Sequence, residues 1–195
     1  MFKKVTINNT WIWLQVITIL WIFGGCRGLS EHKHFIPPED SNLALEFDYP
    51  KEWEWIYKSE SSSIRVYDPA YPPVTINSNN EFPRSGLIRL SVINNSNPES
   101  MNELISWYVD ATQAIGGELV DDKLIDVDGV SARWLTRRIP ERRELGQDFE
   151  ILGNIVFFFT QGKTYEISIS VPYDDRDSDF MKGFEYMISS IRFIP

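Results

Sequence analysis

The first apolar run, Trp11–Phe23, is broken only by Gln15 and Thr18. At about 1.5 Å per residue it spans roughly 20 Å, short of the roughly 30 Å hydrocarbon core of a bilayer. From residue 43 the pattern changes to alternation. Leu43, Leu45 and Phe47 interleave with Ala44, Glu46 and Asp48, and Trp53, Trp55 and Tyr57 follow a turn at Tyr49-Pro50-Lys51. A period of two predicts a strand, a turn and a second strand carrying an aromatic face. Ile64–Tyr67 reads as a short third strand. Four prolines between Asp68 and Gly86 predict loop, because proline cannot donate to a ladder. Ile88, Leu90 and Val92 then share one face of a fourth strand.

At residue 98 the period becomes helical. Met101, Leu104, Ile105, Tyr108, Thr112 and Ile115 recur at three- and four-residue spacing, with Pro98 in the first turn and Gly116-Gly117 as the stop. Ser96 with Glu99 reads as a capping box. Asp128-Gly129 is a hairpin signal between two β-rich runs. ILGNIVFFFT, Gln161-Gly162 and KTYEISISV follow. In the last of these Tyr165, Ile167, Ile169 and Val171 form an apolar face, and Thr164, Glu166, Ser168 and Ser170 a polar one. Phe180, Phe184, Met187, Ile188 and Ile191 mark a closing helix capped within Asp177–Asp179. The predicted order is three strands, loop, strand, helix, four strands, helix. Most connections look like hairpins, so the fold class is α+β, a mainly antiparallel sheet flanked by helices.

The opening run has a further property. Lys3 and Lys4 precede it, and Gly24-Gly25-Cys26 follows it. A positive leader, a short apolar core and small residues describe a secretory signal peptide. Phe23-Gly24-Gly25-Cys26 resembles the lipobox of bacterial lipoproteins, with Phe23 where that family prefers leucine. The resemblance implies cleavage before Cys26, a lipid on its thiol and acylation of its amine; an uncleaved signal anchor is the alternative. Two or three acyl chains hold a domain firmly where one does not. The expected organisation is a signal peptide over 1–25, a polar tether over 26–42 and one domain over 43–195. The expected location is the cell membrane, lipid-anchored on its extracytoplasmic face.

Cys26 is the single cysteine, so neither a disulfide framework nor a cysteine-ligated zinc site is available. The chain carries a net charge of −9; loss of Lys3 and Lys4 with the leader leaves 17 basic against 28 acidic residues, or −11. That balance excludes the basic footprint nucleic acid requires. His32 and His34 are the only histidines and lie in the tether, which rules out a histidine-based triad in the domain.

The order of motifs resembles the PsbP-like fold, shared by the extrinsic PsbP subunit of photosystem II, a Ran-binding import factor and many bacterial lipoproteins. The resemblance rests on Phe47-Asp48-Tyr49-Pro50-Lys51-Glu52-Trp53, on the helix Pro98–Ile115 running into the Asp128-Gly129 hairpin, and on Gly162-Lys163-Thr164-Tyr165 followed by a helix ending Ile188-Ser189-Ser190-Ile191-Arg192-Phe193. It implies an α/β/α sandwich with no shared catalytic residues and members that mostly bind other macromolecules.

No nucleophile elbow, phosphate loop or metal motif occurs. Asp175, Asp177 and Asp179 alternate like calcium ligands, but Phe180 and Tyr186 stand where that loop needs Gly and Glu. Asp121, Asp122, Asp126 and Asp128 flank the hairpin; as turn residues they need no chemistry, and as a pair they would suit a carboxylate-based hydrolase acting on envelope polymers. Trp53, Trp55 and Tyr57 suit a core face better than a sugar platform. Arg137, Arg138, Arg142 and Arg143 cluster near Ile139-Pro140 in an otherwise acidic domain; a solvated loop accounts for them, and as minority charge on a loop they are also the place to look for an acidic partner. The expectation is therefore a non-catalytic, membrane-anchored domain without cofactor or metal, binding or scaffolding a protein or envelope component. The alternative is that hydrolase, which needs a cleft with two carboxylates within about 10 Å. A small-ligand carrier would need a sizeable apolar pocket between sheet and helix.

Overall fold

The computed structural model describes residues 31–39, 41–59, 62–70, 87–94, 96–141 and 149–194. The chain divides into two units, 1–31 and 32–195. Cys26, Arg142, Arg143 and most of the proline-rich segment lie outside the described residues.

The described residues of the second unit include ten strands and two long helices. The strands are β1 (His32–Phe35), β2 (Leu45–Pro50), β3 (Glu54–Lys58), β4 (Ser63–Tyr67) and β5 (Leu87–Asn94), then β6 (Glu118–Val127), β7 (Val130–Ile139), β8 (Ile151–Thr160), β9 (Lys163–Pro172) and β10 (Arg192–Phe193). Helix α1 is Pro98–Ala114 and α2 is Asp179–Ser190. Seven strands form one sheet in the order β3-β4-β5-β9-β8-β7-β6, every pair antiparallel. β1, β2 and β10 form a second, three-stranded sheet. The fold is the expected α+β class, mainly antiparallel.

The hairpins form where turn chemistry directs them. Asp128 and Gly129 both take positive φ, 50° and 80°, and so do Gln161 and Gly162, at 52° and 70°. Two consecutive positive φ values match the twist of the flanking strands, and each pair closes its hairpin, at Val127↔Val130 and Thr160↔Lys163.

The period-two pattern divides the large sheet into two faces. One face carries Ile64, Val66, Ile88, Leu90, Val92, Trp134, Val156, Phe158, Tyr165, Ile167, Ile169 and Val171. It packs against α2 through Phe180, Phe184, Met187 and Ile188, and against Leu45 and Phe47 of β2. Phe184 and Met187 are fully buried; each contributes roughly 1.5–3 kcal/mol by leaving water. The other face offers Leu135, Ile155 and Phe157 to Ile105 and Tyr108 of α1. The result is helix, sheet and helix in layers.

Four expectations need correction. The tether does not reach Asn42: β1 pairs with β2 from His32↔Pro50 to Phe35↔Phe47, so ordered structure begins within it. Polar composition hid this strand, because His34 is held by carboxylates rather than by apolar packing, with Nδ1 2.7 Å from Asp48 and Nε2 3.3 Å from Glu46. β2 and β3 are not a hairpin but belong to different sheets. Trp53 therefore precedes β3 and is buried, while Trp55 is 36% exposed. Helix α1 is capped by Asn97, whose side chain accepts from Ser100 N at 2.7 Å, and the Ser96 hydroxyl donates to Ile93 O instead. Arg137 and Arg138 lie inside β7, not in a loop.

Candidate binding cleft

α1 connects β5 to the far edge strand β6, and packs on β8 and β6. The same face of β9, β5 and β4 carries polar side chains, with Glu166, Ser168 and Ser170 on β9 and Arg89 on β5 in register with Arg65 on β4. Where apolar and polar halves meet, a cleft of about 220 Å³ opens beside α1. Leu104, Trp107, Tyr108 and Ala111 of the helix form its wall. Arg137, Phe157, Glu166, Ser168 and Ser170 come from the sheet.

Adjacent residues in a strand point to opposite faces, and this separates the two described arginines. Arg138 turns away from the cleft. Its Nη2 is 2.7 Å from Glu150 Oε2, its Nε donates to the same oxygen at 3.1 Å, and its guanidinium lies 4.8 Å from the Tyr173 ring centre. The Glu150 hydrogen bonds and charge hold Arg138 above its ordinary pKa. Arg137 instead lies over the Tyr108 ring, 4.5 Å from its centre. Its Nη1 donates to Thr112 Oγ1 at 3.3 Å, and its Nε is buried without a partner. Among the described residues no carboxylate makes an ion pair with it.

Glu166 is the sole carboxylate among the described residues lining the cleft. Burial raises its pKa, and the charges of Arg89 and Arg137 oppose that rise. Burial also pushes the Tyr108 hydroxyl up to about 12, so it stays protonated. Trp107 stands at the mouth with 66% of its surface exposed. The arrangement offers guanidinium donors, an aromatic wall, hydroxyls and one carboxylate. It can hold a polar group, and its described lining offers one carboxylate where glycoside hydrolysis uses two.

The hairpin aspartates are committed elsewhere. Asp122 makes a two-pronged hydrogen-bonded ion pair with Arg133, which lowers its pKa. Asp126 accepts from Gly129 N at 3.0 Å, and Asp128 accepts from Phe193 N at 2.8 Å. Ser178 caps α2 by accepting from Met181 N. Among the described residues, no group of three His, Cys, Asp or Glu side chains is placed to hold a metal ion, and no helix is long and apolar enough to cross a membrane.

Two components of the cleft were visible in sequence without being assigned to it. The Glu166-Ser168-Ser170 face was legible as polar, and its neighbours were not. Trp107 sits off the apolar stripe of α1, which is the one signal that separates it from the core aromatics.

No protein-family model matches the chain, and no curated protein matches it in sequence. Solved structures do match in shape. A cyanobacterial PsbP (CyanoP) from Synechocystis superposes with a TM-score of 0.52 at 16% identity, over 87% of this chain and 96% of that one. This chain has the PsbP-like fold. The Ran-binding protein Mog1p of Saccharomyces cerevisiae matches at TM-score 0.53 and 9% identity, over 85% of this chain and 96% of its own. LpqN of Mycobacterium tuberculosis, described as involved in cell envelope biogenesis, matches at 0.54 and 11%, over 85% and 91%. At such identities the PsbP-like likeness carries fold alone.

Proposed function

We propose that this protein is a non-catalytic, lipid-anchored domain that binds or scaffolds a protein or envelope component through the cleft beside α1. The binding half rests on one observation: Arg137 and Glu166 line an open cleft beside an exposed tryptophan, and neither is ion-paired to the other or to another described side chain. Structural ion pairs elsewhere in the domain, such as Arg138–Glu150, are closed. Exposed tryptophans beside pockets are frequent anchors of interfaces. PsbP-like proteins whose names record Ran binding or envelope biogenesis support a binding role over a catalytic one.

The anchoring half rests on sequence. The short leader, Gly24-Gly25 and the single thiol of Cys26 support lipidation and an extracytoplasmic location. Of the arginines clustered in sequence, Arg137 lines this cleft and Arg138 faces away from it, while Arg142 and Arg143 lie outside the described residues. Intact-mass measurement of the native protein tests the anchor. Loss of residues 1–25 with a diacylglycerol-sized addition on Cys26 is expected; an intact Met1 and a free thiol would overturn it. A photo-crosslinker at Trp107 in whole cells tests the binding.

A further inference from the structure

We propose that the cleft receives a carboxylate group of an acidic polypeptide partner, seated on Arg137. This rests on the cleft being the binding site.

Four observations converge on that chemistry. The Arg137 guanidinium is held in place by the Tyr108 ring and Thr112, yet its Nε remains unused and no described carboxylate makes an ion pair with it. A planar fork of donors matches a carboxylate in two parallel hydrogen bonds. Second, Arg89 adds a further positive charge near the cleft in a chain of net charge −9. Arg89 is directly cross-strand from Ser168 of the lining. Third, about 220 Å³ is below the roughly 300–1,000 Å³ of pockets that enclose a whole small ligand. The space suits one side chain reaching in from a larger molecule, with Trp107 gripping what stays outside. Fourth, Glu166 lines the same cleft as Arg137. Its neighbours from each packed element are Tyr108 of α1, Arg137 of β7 and Arg89 of β5, with Phe157 of β8 contributing no charge. Burial raises the pKa of Glu166, so falling pH neutralises it more readily than a free carboxyl, which removes its repulsion of an incoming carboxylate and lets it donate a hydrogen bond.

The test uses the full chain in detergent micelles. The probe is acetyl-Ala-Glu-Ala-amide, with acetyl-Ala-Gln-Ala-amide as its uncharged isostere and methyl phosphate as the other anion. Nuclear magnetic resonance follows the Arg137 Nε–H and Trp107 Nε1–H signals. The glutamate peptide is expected to move both, and the glutamine peptide to bind at least about tenfold more weakly, as loss of a charged hydrogen-bond partner implies. Arg137→Gln should lose the same factor. Arg89→Gln changes an exposed side chain and keeps the fold testable; it should weaken binding severalfold. Glutamate-peptide affinity should rise as pH falls through the raised titration of Glu166, and Glu166→Gln should flatten that profile.

Equal affinity for the two peptides, indifference to both arginine substitutions, or tighter binding of methyl phosphate would each overturn the assignment. The two levels of the reading fail separately. A failed titration with continued capture by a crosslinker at Trp107 refutes the carboxylate site and leaves the binding role standing. A successful titration without capture does the reverse.

Discussion

Arg137 lies across Gly153 on the neighbouring strand, so close that a Cβ on that glycine would stand 2.9 Å from Arg137 Nε and 3.1 Å from its Cγ. The two residues are direct cross-strand partners of β7 and β8. A side chain at 153 would lift the guanidinium from the ring of Tyr108. Gly153→Ala should therefore displace Arg137 and cost about 1–3 kcal/mol, the usual penalty of overpacking. Chemical unfolding gives the energy. The ring-shifted Nε–H resonance of Arg137 reports the displacement, and a variant with wild-type stability and an unmoved resonance would show that the glycine has no such role.

A second close approach joins α2 to the opening of the domain. A Cβ on Gly183 would lie 2.5 Å from Trp53 Cη2 and 3.3 Å from Pro50 Cγ. Alanine in a helix interior normally gains about 1 kcal/mol over glycine. Here the clash should dominate, and Gly183→Ala should destabilise by about 1–3 kcal/mol net. A stabilised variant in thermal unfolding would refute the packing of Trp53 against α2.

His34 makes β1 sensitive to pH. Hydrogen bonding to Asp48, then to Glu46, raises its pKa above 6.5, with slight burial opposing. A raised folded value means the stabilisation is complete below the unfolded pKa and is lost as pH rises through the folded one. Amide exchange in residues 32–35 should accelerate across that alkaline limb, and His34→Ala should remove the pH dependence. The group is exposed and screened, so global stability should change little. Exchange rates that ignore pH beyond the intrinsic trend would contradict this.

Asn97 and Ser96 separate two accounts of how α1 begins. Asn97→Ala removes the acceptor for Ser100 N and should cost about 1 kcal/mol. Ser96→Ala should cost clearly less, since that hydroxyl satisfies no N–H of the first turn. Equal losses in denaturant titrations would restore the capping-box reading.

Local chemistry made much of this fold readable. Asp128-Gly129 and Gln161-Gly162 announced their hairpins because positive φ is cheap there, and the apolar faces of β9 and α2 announced themselves by period. What stayed hidden depends on partners distant in sequence. β1 pairs with β2 through a histidine held by two carboxylates, and β10 is two residues long with its register set against Leu45 and Glu46. No window of sequence contains both halves of either pairing. The arginine cluster illustrates the same limit. Composition showed minority charge near Ile139, but only the alternation within β7 sends Arg138 to Glu150 and Arg137 into the cleft. Glu166, 29 residues further on, lines the same cleft as Arg137, with β8 between their strands.

The central claim is that a partner docks at the cleft beside α1, and crosslinking in intact cells tests it most directly. A photo-reactive residue replacing Trp107 should capture one discrete species, a photo-reactive residue at Lys182 on α2 should not, and adding Arg137→Gln should abolish the first signal. Equal capture from both sites, or capture at Trp107 that is indifferent to Arg137, would contradict it.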